Sequence, residues 1–331
     1  MKSKLLIVEL WGLGDLVIGT PFLRAAVEHY EVCLVAKPYA VELQERLWPG
    51  VRVMPVVAPW TAFTGKYRLW KWPWGELWRL IRQLRCEQFA FGVYARWDPR
   101  DHVLLALAGV RTRFGFPRLR SWMYLTQAVA RPSPQSHRYE YWRALAHRLE
   151  FELPLREQIP TQFPNANGKV LLHTGAGQPV RVWPLERYLH TVRRLRERGH
   201  RVQVACDADQ RVWWLGAGEA DVATPHTVKE LLRLIDDARV FIGNDSGPGH
   251  LAAFCGVPTF TLFGPQLSEW FAPLHPHSDW IDGKACPYKP CSDYCRFPTP
   301  VCMTGLGEEE VWARLQRFEE TQARPVATTA R

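Results

Sequence analysis

Short apolar runs of strand length alternate with amphipathic stretches along most of this 331-residue chain. Residues 5–10, 32–36, 51–57 and 89–95 are rich in Val, Ile, Leu and Phe and read as strands. Between and after them, residues 15–29, 39–47, 75–84, 101–107 and 137–149 read as helices, with Pro21 tolerated in an early turn or kinking the first. This alternation predicts a parallel, doubly wound sheet. The pattern lapses between residues 152 and 168, where Pro154, Pro160, Pro164, Asn165, Asn167 and Gly168 mark a linker. A second βα series follows, with strands at 170–173, 202–206, 240–243 and 259–263 and helices at 185–197, 210–216, 228–235 and 247–254. The expected layout is therefore a first domain over 1–151, a linker over 152–168 and a second domain over 169–307. A last helix over 308–321 and a tail over 322–331 complete it.

Composition refines this picture in two places. Hydrophobic residues make up 47% and charged residues 23%, as in a folded globular protein, yet the formal net charge is +9. Arg111, Arg113, Arg118, Arg120, Arg131, Arg138, Arg143 and Arg148 fall in a span whose only acid is Glu140. Such a span is either a solvated face or an attractor of anions: a phosphorylated glycolipid, an acidic membrane or a nucleic acid. No nucleic-acid-binding module is recognisable, so nucleic acid is not expected as a partner. No apolar run is long enough to cross a bilayer, and Glu9 and Asp15 interrupt the first apolar stretch, so a cytoplasmic protein is expected, with its eight cysteines reduced or metal-bound.

The chemistry concentrates after apolar strands. The strand ending at Ile242 runs into a polar, glycine-rich turn, and a helix starts near Gly247. That order presents free N–H groups at Ser246, Gly247 and Gly249 and a positive helix end to an anion, most often a phosphate. Asp245 and His250 are placed to touch what the phosphate carries, although a histidine at a helix start also serves simply to orient a loop. Asp15, after Gly12 and Gly14, stands at another strand-to-helix turn. A carboxylate there accepts a proton from an attacking hydroxyl, or else caps the helix. Thr174 and Gly175 follow a third strand. Asp207-Ala208-Asp209 follows a fourth and spells a metal-binding DxD pattern that is common by chance.

Three segments, in this order, resemble glycosyltransferase family 9, the bacterial heptosyltransferases. They are Gly12-Leu13-Gly14-Asp15, His173-Thr174-Gly175-Ala176-Gly177 with Arg181-Val182-Trp183-Pro184, and Gly243-Asn244-Asp245-Ser246-Gly247-Pro248-Gly249-His250 running on to Pro265. The resemblance implies a GT-B architecture, two Rossmann-like α/β domains facing a central cleft, and a last helix crossing back to the first domain. It implies inverting transfer of heptose or a related sugar from a nucleoside diphosphate donor, ADP-heptose above all. The acceptor would be a lipopolysaccharide core or another cell-surface glycan at the inner membrane face. Asp15 becomes the general base and Arg181, where the family often has lysine, the diphosphate partner. Asp245 holds donor hydroxyls, and Asp209, in competition with Asp207, binds the ribose. No cofactor is required, which discounts the DxD pattern. A GT-B-shaped epimerase or hydrolase, a non-catalytic glycan-binding protein and a heptosyltransferase with a protein acceptor are the alternatives.

Two further clusters stand apart from these motifs. Cys286, Cys291, Cys295 and Cys302 place four thiols in seventeen residues, enough for a tetrahedral zinc or iron site, although the spacing also suits reduced thiols in a proline-rich loop. Trp60, Trp70, Trp72, Trp74 and Trp78 lie among Lys66, Arg68, Lys71 and Arg79. Tryptophan interleaved with basic residues suits a membrane interface, the stacking of acceptor sugars, or a core.

Overall fold

The structure, a computed structural model, describes residues 2–62, 66–159, 167–291 and 294–323. Residues 160–166 of the expected linker, including Pro160, Pro164 and Asn165, and the tail beyond 323 lie outside these residues. The chain divides into two units, Met1–Leu155 and Arg156–Arg331.

The first unit is built on a six-stranded sheet of β1 (Ser3–Glu9), β2 (Tyr30–Ala36), β3 (Arg52–Pro55), β4 (Phe91–Tyr94), β5 (Thr112–Gly115) and β6 (Gln127–Ala128). All its pairings are parallel and the order is β3-β2-β1-β4-β5-β6. Central β1 is apolar from Leu5 to Val8 because helices cover both faces, and these four side chains are fully buried. The single helix expected over 15–29 is two, Leu13–Ile18 and Thr20–His29. They break at Gly19, where a Cβ would sit 2.8 Å from the Trp142 ring, so only glycine lets helix and indole approach this closely. Pro21 stands in the first turn of the second helix, where its missing N–H costs nothing.

The second unit repeats the plan with β7 (Lys169–His173), β8 (Val202–Ala205), β9 (Val222–Ala223), β10 (Ala238–Asn244), β11 (Thr259–Phe263) and β12 (Asp279–Asp282), in the order β12-β11-β10-β7-β8-β9. Its pairings are parallel too. Counted from the first strand of each unit, the two sheets have the same strand order, that of the doubly wound dinucleotide-binding fold. The order reverses between β1 and β4 in one sheet and between β7 and β10 in the other. Ligands of such sheets bind at the carboxyl ends of the strands beside that reversal, which directs attention to the loops after β1, β4, β7 and β10.

The final helix, Glu308–Ala323, buries Val311, Trp312, Leu315 and Phe318 in the core of the second unit. Arg194 forms a two-pronged pair with Glu309 at 2.6 and 3.2 Å and covers the Trp312 ring. The apolar face of this helix is thus part of the second unit's core.

Candidate functional site

In the first unit, the loop after β1 places Gly12 at the N-cap of helix Leu13–Ile18, so Asp15 is the third helical residue and not the cap. Its Oδ2 is 3.4 Å from the Gly12 N–H, a long contact. The stronger partner is Arg96, just past β4, whose guanidinium lies 2.8 Å from the same oxygen. Arg96 also covers the Trp11 ring at 4.6 Å. Burial opposes the Arg96 charge, but Asp15, Tyr94 and Glu9 outweigh it and its pKa is raised. The sequence reading overlooked this arginine, although its place after the strand beside β1 was the available signal.

Behind this pair lies a set of buried acids. Glu9 accepts the Trp11 N–H at 3.1 Å, and burial, with the nearby Asp15 charge, pushes its carboxyl up to about 8. Asp101 is fully buried, and that burial raises its carboxyl to about 6. It accepts from the Trp60 indole at 2.9 Å, while the Trp11 indole donates to Tyr94 Oη at 2.6 Å. Trp11 is thus held from two sides, and the loop carrying Gly12 and Asp15 is held with it. Gly14 lies half-buried inside the same short helix.

In the second unit, the end of β10 carries the other group of residues. Asp245 is buried, with Oδ1 3.8 Å from His250 Nε2 and Oδ2 3.6 Å from Arg181 Nη1. Arg181 closes a 3-10 turn, Pro179–Arg181, beyond β7. Ser246 is the N-cap of helix Gly247–Phe254, but its hydroxyl makes no cap bond. Among the described residues, Ser246 Oγ, His250 Nδ1 and Asp245 Oδ2 are buried atoms without a hydrogen-bond partner. Buried polar groups are nearly always paired, so three together at a helix N-terminus describe a site made for a polar ligand. Pro248 has no N–H to offer there, which leaves the donors of Gly247 and Gly249.

Thr174 and Gly175 serve differently from the expectation. Thr174 is fully buried: its hydroxyl donates to Gln210 Oε1 at 2.8 Å and receives the Trp214 indole at 3.3 Å. Gly175 lies so close to the Asp207 carboxylate that any Cβ would collide with it. Asp207 Oδ2 accepts the N–H groups of Ala176 and Gly177 at 3.1 and 3.3 Å, so this acid fastens the loop after β7. Asp209 is exposed, on the wall of a cavity of 470 Å³ that Gln178, Trp183, Gln210, Pro300 and Thr304 also line. That volume is within the range of small-molecule pockets. Asp207 lines the same cavity, so the two acids of the DxD pattern share one wall, with Asp207 engaged by backbone donors and Asp209 exposed.

Asn244 also escaped the sequence reading. Its Oδ1 accepts from the Trp183 N–H at 3.1 Å and the Tyr188 hydroxyl at 2.8 Å, and its Nδ2 donates to the Thr174 carbonyl at 2.8 Å. The signal available was a buried-type amide directly before Asp245 at the end of an apolar strand.

The cysteine loop is drawn together only in part. Cys291 N–H donates to the Pro265 carbonyl at 3.0 Å, and Cys302 packs beside Gly264 while its carbonyl accepts from Lys284 N–H at 3.1 Å. Cys295 Sγ contacts the Thr299 carbonyl at 3.6 Å, and Cys286 is half-buried with a free thiol. Among the described residues, no three His, Cys, Asp or Glu side chains are grouped to hold one metal ion. The four-thiol site suggested by the spacing is not assembled here.

The tryptophans and arginines divide as well. Trp60 is buried and Trp72 is half-buried against it, ring centroids 5.6 Å apart, while Trp70, Trp74 and Trp78 are exposed. Arg138 is buried over the rings of Trp97 and Tyr141, and Arg143 pairs with Glu140 at 2.8 Å, so the arginine-rich span is not one solvated face. Among the described residues, no helix is long and apolar enough to cross a membrane.

Two doubly wound units, each with polar loops at its strand reversal, make an α/β fold of the GT-B type. The model of "Glycosyltransferase family 9 (heptosyltransferase)" matches residues 77–298, and the chain belongs to that family. The match begins after the Asp15 loop. Lipopolysaccharide heptosyltransferase 1 of Pseudomonas aeruginosa is 28% identical over 208 residues, which is 54% of this chain and 58% of that protein. Lipopolysaccharide heptosyltransferase 3 of Escherichia coli is 32% identical over 113 residues, 31% of this chain and 33% of that one. These alignments thus span little over half, and a third, of the curated relatives. The solved E. coli heptosyltransferase WaaC with ADP superposes with a TM-score of 0.72 at 18% identity, over 97% of this chain and 100% of that one. E. coli ADP-heptose lipopolysaccharide heptosyltransferase II gives 0.71 at 17% identity, over 97% and 100%. At these identities the two structures show a shared fold.

Proposed function

We propose that this protein is an inverting glycosyltransferase that moves heptose, or a related sugar, from an ADP-linked donor to a lipopolysaccharide core. The observation that carries the reading is the set of buried polar atoms without a hydrogen-bond partner on Asp245, Ser246 and His250 at the start of helix Gly247–Phe254. Such a set suits a sugar diphosphate: donors for phosphate oxygens and a carboxylate for sugar hydroxyls. The names of the relatives, lipopolysaccharide heptosyltransferases and ADP-bound heptosyltransferases, agree with it.

In the transfer, an acceptor hydroxyl gives its proton to Asp15 as its oxygen attacks the anomeric carbon. The bond from that carbon to the diphosphate breaks, and its electron pair leaves with the phosphate oxygen on the opposite face, so the configuration inverts. The developing charge is met by Arg181 and by the N–H groups at Ser246, Gly247 and Gly249. Arg96 holds the Asp15 carboxylate in place before the acceptor arrives. No metal ion takes part.

The test is incubation of the purified protein with ADP-heptose and a core glycolipid, following ADP release and acceptor mass together. The expected result is one added heptose per ADP, with inverted anomeric configuration. Free or epimerised sugar without acceptor would make the protein a hydrolase or epimerase. Binding without turnover would make it a glycan-binding protein, and heptose found on polypeptide would move the acceptor to protein.

A further inference from the structure

We infer that one face of the first unit is a docking surface for an anionic lipid bilayer. The surface has two parts. Trp74 and Trp78 stand one turn apart on the exposed side of helix Trp74–Cys86, opposite buried Leu77, Leu80, Ile81 and Leu84. Trp70 precedes them and is 77% exposed, a large unpartnered apolar area for a single side chain. The Trp74 indole donates to the Leu69 carbonyl at 2.8 Å, and its ring lies 5.3 Å from half-buried Trp72. The Trp74 ring is thus held in position from beneath.

The second part is the segment around Ser121–Tyr124. Leu119 is 83% exposed and its φ is +56°, a left-handed conformation that a leucine adopts only under constraint. The Ser121 hydroxyl accepts the Arg118 N–H at 3.0 Å and meets His102 Nδ1 at 3.0 Å, which fixes the turn that presents Leu119, Trp122 and Met123 to solvent. Helix Pro99–Leu107 packs against both this turn and helix Trp74–Cys86, so the two apolar parts flank one element.

Charge selects the occupant. Lys66, Arg68, Lys71, Arg79 and Arg82 accompany the first part with Glu76 as the only acid between residues 66 and 82, and Arg118 and Arg120 bracket Leu119. Exposed indoles among basic side chains match the headgroup layer of an anionic membrane, where an indole has both apolar and polar neighbours and cations meet lipid phosphates. A protein partner would leave the guanidinium groups in need of specific acids, whereas a bilayer supplies anions at every position. This surface deepens the glycolipid-acceptor reading by placing the enzyme on the membrane that holds such an acceptor, and it is tested without donor or acceptor.

The experiment is cosedimentation of the full chain with vesicles of phosphatidylglycerol and phosphatidylethanolamine, against vesicles of phosphatidylcholine, at low and high salt. Binding is expected only to the anionic vesicles, falling as salt rises. The set Trp70→Ser, Trp74→Ser, Trp78→Ser and the pair Leu119→Ser, Trp122→Ser are each expected to weaken it at least about tenfold. Phenylalanine at the same three tryptophan positions is expected to restore most of it, which separates a lost surface from a lost fold. Transfer to a soluble core oligosaccharide is expected to stay unchanged in the serine sets, so a failed transferase assay and a failed docking surface are told apart. Equal binding to neutral vesicles, no binding at low salt, or unaltered binding by the serine sets would overturn the inference. So would serine variants that lose self-association or oligosaccharide binding in place of vesicle binding, making the face a contact between copies or a sugar platform.

Discussion

Asn244 and Thr174 are joined by a 2.8 Å hydrogen bond from the Asn244 side-chain amide to the Thr174 carbonyl, which ties the carboxyl ends of β10 and β7 together at the strand reversal. With its other atom the same amide receives Trp183 and Tyr188. One buried side chain thus fixes the starting points of the Asp245 loop and the loop that leads to Arg181.

Asn244→Ala is expected to leave the buried Trp183 N–H and Tyr188 hydroxyl unpaired, while the Thr174 carbonyl keeps the Gln210 amide at 3.3 Å, and to lower stability by roughly 2–4 kcal/mol. Urea unfolding of the two proteins measures the difference. A change within the error of the fit would show that water or a shifted side chain replaces the amide.

Asp15→Asn keeps a side chain able to contact Gly12 and Arg96 but cannot take up the acceptor proton. Transfer is expected to fall at least about a hundredfold, with donor binding nearly unchanged. Single-turnover rates together with donor titration decide the matter. A near wild-type rate would remove Asp15 from the role of base.

Arg181 and Asp245 are expected to separate in calorimetry. Arg181→Ala loses affinity for free ADP and for the sugar nucleotide alike, because both carry the diphosphate. Asp245→Ala loses mainly the added affinity that the sugar brings. Equal losses for both ligands in both variants would contradict this division.

Glu9 gives a signed pH dependence. Its carboxyl is raised by burial to about 8 from an ordinary value of 4.5, so the folded protein binds the proton more tightly than the unfolded chain. Its protonated form is therefore favoured by folding, and stability is lost as pH rises from near 5 through 8. Glu9→Gln keeps the acceptor for the Trp11 N–H and removes the ionisation. The variant is expected to gain on the order of 1–3 kcal/mol relative to wild type between pH 5 and 9. Parallel stability curves for the two proteins over that range would refute the shift.

The central strands were legible because burial on both faces makes them continuous apolar runs, as in β1 and β10. Four short or polar strands were not. β5 lies in an arginine-rich stretch, β6 and β9 have two residues each, and β12 is Asp-Trp-Ile-Asp, so none carries enough apolar pattern to be read. At the candidate site, the loop motif made the grouping of Asp245, Ser246 and His250 at one helix start legible. The site was hidden where partners come from distant segments. Arg96 meets Asp15 across 81 positions, and no local pattern announces that pairing. Thr174 was misjudged for the same reason: its hydroxyl is taken by Gln210 and Trp214, which only the packed structure shows.

The close approach of Gly19 to Trp142 has a genetic consequence. The helix that bears Asp15 is six residues long and ends at that glycine, so its seat is set by an indole in a distant helix. Alanine there must push either the indole or the helix. Such an allele would leave Asp15 itself unaltered and still shift the helix that carries it. A second allele that trims Trp142 would be its natural suppressor, pairing two positions that an inspection of the reacting groups alone would never connect.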